Sequence, residues 1–249
     1  MHTTPPFDVA ILTVPRATDY LAQTLASLFA SGCDVWTITP IHLMAGSTAC
    51  PHLEGLAHHH ALRVHAMDEP QWQLIQDWHV HRRLAYNLWR AASLPCETLY
   101  GRCICEDDIV FADGFIEKLV NTIREIRAAE NEKFVLAAYS PYDFASEAER
   151  RRGRWYCSYN ASAHYGNCCL FVSKPLLSDL AQTLWLRTVE HTQAPADIAI
   201  GQFMEELWKR REGGMYQTVS SLAQHVGFVS GGTSERYFSS PTFGQAWPE

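Results

Sequence analysis

The chain has 249 residues, 47% of them hydrophobic and 19% charged, which supplies the core of one α/β domain and leaves little room for long disorder. A formal net charge of −7 argues against a broad phosphate-backbone surface, so no nucleic-acid partner is expected. The opening MHTTPPFDVAILTV lacks a basic leader, and nowhere do about 18 apolar residues run together, so neither a signal peptide nor a membrane span is expected. Cysteines in apolar runs without a CxxC pair fit buried free thiols and a cytoplasmic protein.

In chain order, Phe7 to Val14 predicts a buried strand, and PRATD a turn. Leu21, Thr24, Leu25, Leu28 and Phe29 recur at helical spacing up to Gly32. DVWTITP, Asp34 to Pro40, predicts a second strand, and residues 62–66 a third. Gln71 to Ala92 reads as one helix closed by Pro95, with Trp72, Ile75, Ala85, Leu88 and Trp89 on its apolar side. Leu99 to Cys105 is the next strand. A helix capped by Asp113 carries Phe115, Leu119, Ile123 and Ile126. Strands are expected at Phe134–Tyr139, Trp155–Tyr159 and Cys168–Ser173, with a helix opening on Pro175. A last helix runs from about Pro195 to Arg211 and stops at Gly213-Gly214. Met215 to Val226 predicts one final strand, before a glycine- and serine-rich tail.

Strands alternating with helices predict an α/β fold, a mixed and largely parallel sheet flanked by helices, with ligands held beyond the carboxyl ends of the strands. One domain covers 1–249, in two halves, to about 112 and over 113–230, with a tail over 231–249.

The stretch CICEDDIVFADGF sets Glu106, Asp107 and Asp108 side by side at a strand end. Three adjacent carboxylates repel one another, and burying them unpaired is costly. A hard divalent cation relieves that repulsion, because Mn²⁺ and Mg²⁺ take oxygen ligands and leave positions for a substrate phosphate. The alternative is an acidic turn that favours the N-terminus of the next helix.

Three blocks, ILTVPRATDYLAQTLASLF, EDDIVFADGF and SSLAQHVGFVSG, resemble GT-A glycosyltransferases, and among them are most similar to the N-acetylglucosaminyltransferase IV type. The resemblance covers about a fifth of the chain. It implies a GT-A, Rossmann-like fold, a UDP-sugar donor, a glycan or other hydroxyl-bearing acceptor, and Mn²⁺ (or Mg²⁺) as cofactor. It also implies that Asp108 and His225 are the metal ligands, while Glu106 and Asp107 face the ribose or a metal-bound water. Thr13, Pro15 and Arg16 would line the uracil and diphosphate pocket, with Arg16 countering phosphate charge. Arg83 and Asn87, four apart on a helix and so on one face, would reach the nucleotide.

An inverting transfer needs a base opposite the leaving group, and Asp197, in the first turn of the Pro195 helix, is the candidate, with Glu205 and Glu206 behind it. Tyr165-Gly166-Asn167 can wall the acceptor side, and Trp155, Tyr156 and Tyr159 can stack on sugar rings. The Arg150–Arg154 cluster reads as a charged loop, and His58-His59-His60, with His52 and His65 nearby, as a loop feature, since adjacent histidines point different ways. The expected activity is metal-dependent transfer of a hexosyl or N-acetylhexosaminyl group, N-acetylglucosamine for instance, from the UDP-sugar with inversion. A non-catalytic sugar-nucleotide or glycan-binding domain and a metal-dependent phosphoester hydrolase are the alternatives.

Overall fold

A computed structural model describes residues 4–14, 18–33, 40–48, 50, 53–54, 56, 59, 61–139, 149, 152–164, 166, 168–191, 194–227, 240 and 242–244. Pro15, Arg16, Tyr165, Asn167, Arg150, Arg151, His52, His58 and His60, like most of the 34–40 strand expectation, lie outside them.

Strands β1 (Phe7–Thr13), β2 (Ile41–Ala45), β3 (Leu62–His65) and β4 (Gly101–Glu106) lie parallel in the order β3-β2-β1-β4. The sheet continues through β8 (Cys169–Ser173), β6 (Phe134–Ala137), β9 (Gly214–Thr218) and β7 (Tyr156–Ser158). Only β8 and β7 run against the rest, because β8 is antiparallel to both β4 and β6, and β7 is antiparallel to β9. The result is the expected α/β class, a mixed, largely parallel eight-stranded sheet with helices on both faces. β5 (Ile109–Phe111) and β10 (Ala223–His225) form a separate antiparallel ribbon.

The alternation of strand side chains divides the core. Phe7, Val9 and Ile11 face one side with α1 (Tyr20–Leu28) and α4 (Phe115–Ala129). Ala10 and Leu12 face the other, under α3 (Val80–Ser93), α5 (Leu177–Leu184) and α6 (Ala196–Lys209). The fully buried Arg102 on β4 pairs with Asp8 on β1 through two contacts, 2.6 and 2.7 Å. Its guanidinium also donates to the carbonyls of Ala91, Leu94 and Pro95, so it closes the C-terminal end of α3, where cations are favoured.

Several boundaries differ from the sequence expectation. Among the described residues, the strand after β1 is β2, IHLMA, directly after Pro40. The single helix over 71–92 is two, α2 (Glu69–Ile75) and α3. Ile75 packs with Met67 and Tyr86 in a satellite cluster, whereas Ala85, Leu88 and Ala91 pack on the sheet. One straight helix cannot serve both targets, and His79 leaves helical geometry to cap α3. α4 is opened by Gly114 in the left-handed region, not by an Asp113 side-chain cap. Pro175 lies in a short 3₁₀ turn ahead of α5. The final strand is broken into β9 and β10 because Ser221 turns the chain: its hydroxyl lies 3.2 Å from the Ala138 carbonyl and 2.8 Å from that of Ala223. No helix among the described residues is long and apolar enough to cross a membrane.

Candidate active site

The carboxyl ends of β1, β2 and β4 meet at one edge, and the carboxylate triplet sits there. Glu106 ends β4 and is partly exposed; Asp107 and Asp108 are each 2% exposed. The two aspartates have separate partners. Asp107 Oδ2 accepts from Thr13 Oγ1 at 2.6 Å and from the Val14 N–H at 3.4 Å, which ties the triplet to the end of β1. Asp108 Oδ2 lies 3.2 Å from His225 Nε2 on β10.

Residues far apart in sequence set this arrangement. Thr24 Oγ1 on α1 lies 2.7 Å from the carbonyl oxygens of both Asp107 and Ile109, and accepts the Ile109 N–H at 3.2 Å. Ser27 Oγ accepts the Phe111 N–H at 3.1 Å. The polar positions of TLAS therefore hold EDDIVF in place, a physical reason for those blocks to occur together. The ribbon pairs Ile109 with His225, and the Val226 N–H donates to the Asp108 carbonyl at 2.8 Å. Gly227 completes the approach. A Cβ there would come within 2.3 Å of Asp108 Oδ2, so only glycine lets the backbone pass so near the carboxylate.

The donors around Asp108 suit a hard cation. Ligands on adjacent positions of an octahedral ion with bonds of about 2.1 Å lie about 3 Å apart, close to the Asp108–His225 separation. Glu106, Cys168 and His225 each place one ligand atom within 4.8 Å of the other two. Cys168 is the poor member for a hard ion. Burial, and then the charges of Glu106 and Asp108, push its thiol well above its ordinary pKa. Asp108 stands outside that group of three and joins it only through its contact with His225.

Asp197, in the first turn of α6, lies close enough to Cys168 for its charge to be felt there. Its Oδ2 accepts the Gly166 N–H at 3.1 Å, two residues before Cys168, and its Oδ1 accepts the Ile198 N–H at 2.9 Å. Asn87 is buried near the end of β1: a Cβ on Gly46 would lie 2.9 Å from Asn87 Nδ2 and 3.0 Å from the Thr13 carbonyl. Arg83 is half-buried on the same helix.

Other sequence candidates go elsewhere. Tyr156 is 3% exposed, gives its hydroxyl to Glu130 and packs edge-on against Tyr216, so it is core. The half-buried Trp155 donates its N–H to Glu125. Glu206 pairs with Arg187 and Glu205 with Lys209, further along α6 than Asp197. Arg152 and Arg154 both pair with Glu149. His59 rests against Phe29, and His65 bonds His42. Sequence reasoning missed Thr24 and Ser27 as supports, although both stand inside the helix motif, and missed Arg90, which donates to the Ala45, His65 and Ala66 carbonyls at the ends of β2 and β3.

No family model matches the chain, and no curated protein does. Among solved structures, the galactosyltransferase LgtC in complex with donor and acceptor sugar analogs is similar, with a TM-score of 0.48 and 10% identity over 84% of this chain and 73% of that one.

Proposed function

We propose that the protein is a GT-A-type, metal-dependent glycosyltransferase that moves a sugar from a UDP-sugar, such as UDP-N-acetylglucosamine, to an acceptor hydroxyl with inversion. The convergence of Asp108 and His225 carries this reading, with Gly227 shaped around the carboxylate. These two would hold Mn²⁺ or Mg²⁺, with Glu106 facing the ribose or a metal-bound water; the ion when bound would neutralise charge on a departing diphosphate.

The chain's own groups divide the remaining work. Asp107 holds Thr13 and Val14, so that the end of β1 would face the nucleotide. Asn87 and Arg83 flank it from α3. Asp197 receives the proton of the acceptor hydroxyl as that oxygen attacks the anomeric carbon from the face opposite the diphosphate. The two backbone N–H donors at Asp197 fix the direction of its carboxylate.

The test is a panel of UDP-sugars with Mn²⁺, read as UDP release with and without saccharide acceptors, alongside calorimetric binding of UDP plus Mn²⁺. Asp197→Asn should retain nucleotide binding and lose about 10²–10⁴ in turnover. Asp108→Asn and His225→Ala should lose metal-dependent binding itself. Metal-independent UDP binding, or none, would overturn the assignment. Metal-dependent binding without turnover of any donor would leave a sugar-nucleotide binder in its place.

A further inference from the structure

A second concavity lies at the opposite end of the sheet. β9 starts at Gly214 beside Phe134, at the end of the sheet where β4 begins, whereas the carboxylates follow the last residue of β4. The strand length between the two ends is roughly 16 Å. The cavity there has a volume of about 520 Å³, within the usual range for small-ligand sites. Its lining combines Tyr159, Asn131, Glu205, Trp208, Arg211 and the buried Tyr216.

Two features set this lining apart. Trp208 is 68% exposed, the most exposed of the large hydrophobic residues described, and it stands on the lip of the cavity. Arg211 has φ 59, alone among the described non-glycine residues in the left-handed region. It lies two residues past Lys209, the last residue of α6, a place usually filled by glycine, and glycines do follow at 213 and 214. A side chain kept where the backbone disfavours one implies a use for its guanidinium.

The chemistry of the lining selects the ligand class. Aromatic faces offer a platform for the C–H side of a pyranose. Asn131 donates and accepts, Glu205 accepts and Arg211 donates, the mixture that adjacent hydroxyls require because each hydroxyl does both. An apolar peptide would desolvate those groups without replacing their partners. A polyanion would meet Glu130 and Glu205 in the same lining.

We propose that this groove is a saccharide-binding site, remote from the carboxylate cleft, in which a neutral oligosaccharide stacks one ring on Trp208 and shares its hydroxyls among Asn131, Glu205 and Arg211. It does not depend on the transferase reading, and the test keeps the two apart. The full chain, labelled with 5-fluorotryptophan, is titrated with chitotriose, maltotriose, cellotriose and N-acetyllactosamine, in chelator and without nucleotide. The Trp208 fluorine resonance is assigned with Trp208→Phe. At least one saccharide should shift that resonance saturably at millimolar concentration, and Asp108→Asn should respond like the wild type.

Trp208→Ala and Arg211→Gly should each weaken binding by about tenfold, the loss of one stacking or polar contact, with the alanine variant followed by calorimetry. Arg211→Gly should also melt about 2–4 °C higher, because glycine relieves the backbone, so its loss of binding cannot be misfolding. The proposal is overturned if no saccharide moves the Trp208 resonance, if an apolar peptide saturates the groove and sugars do not, or if either variant binds like the wild type.

Discussion

Replacing Gly227 by alanine tests the cleft at its tightest point. The new Cβ would lie 2.3 Å from Asp108 Oδ2, 2.9 Å from Cγ and 3.2 Å from Cβ. Ordinary contact needs about 3.4 Å, so the carboxylate or the chain after His225 must shift by roughly 1 Å. Asp108 is 2% exposed and His225 is fixed through the ribbon, so the shift falls on the 3.2 Å separation between their donor atoms. Metal sites tolerate about 0.2 Å, and a displacement near 1 Å costs about 10²-fold. Calorimetry of UDP plus Mn²⁺ should show an affinity about 100-fold weaker in Gly227→Ala. The overpacking itself costs about 1–3 kcal/mol, and melting followed by circular dichroism should fall by roughly 2–4 °C per kcal/mol. A folded variant with wild-type, metal-dependent affinity would refute the idea that Gly227 shapes a cation site.

Other consequences follow from the same contacts. Thr24→Val removes the partner of the Ile109 N–H and both carbonyl contacts; it should cost about 1–3 kcal/mol and weaken metal-dependent nucleotide binding although Thr24 touches no ligand, and unchanged binding would remove its supporting role. Arg102→Met leaves the Asp8 carboxylate buried beside His42 alone, a change worth about 3–5 kcal/mol, read as a melting drop near 10 °C. Burial raises the Asp8 pKa, but bonds and charges from His42 and Arg102 outweigh it and hold the carboxyl below its usual 3.8. That stability is present above 3.8 and lost as pH falls through the folded value, so the gap between wild type and Arg102→Met should narrow on acidification. A variant melting within a degree or two of wild type at neutral pH would contradict it. His65 is pulled down to about 4 by burial first and then by the charges of His42, Arg90, Arg102 and Arg63. Its contribution is present above 6.5 and fades as pH falls towards 4, so His65→Asn should flatten the pH dependence of melting across that window; an unchanged slope would place the effect elsewhere.

The sequence by itself determined what local pattern can determine. Apolar runs marked β1, β4, β6 and β8, helical spacing marked α1, α4 and α6, and their alternation gave the largely parallel sheet. It also marked EDD as a charge problem in need of a partner, because adjacent carboxylates at the end of an apolar strand are costly wherever the chain goes. The tertiary structure alone decided how those carboxylates are divided. Asp107 turns to Thr13 and Asp108 to His225, a split set by α1 beneath the loop and by a ribbon strand that local pattern merged with β9. Likewise, nothing local distinguishes the core Tyr156 from Tyr159 at the groove, or gives Arg102 its place under α3. Periodicity reports which side of an element is buried; which distant residue meets it there depends on the register of strands joined only by the fold.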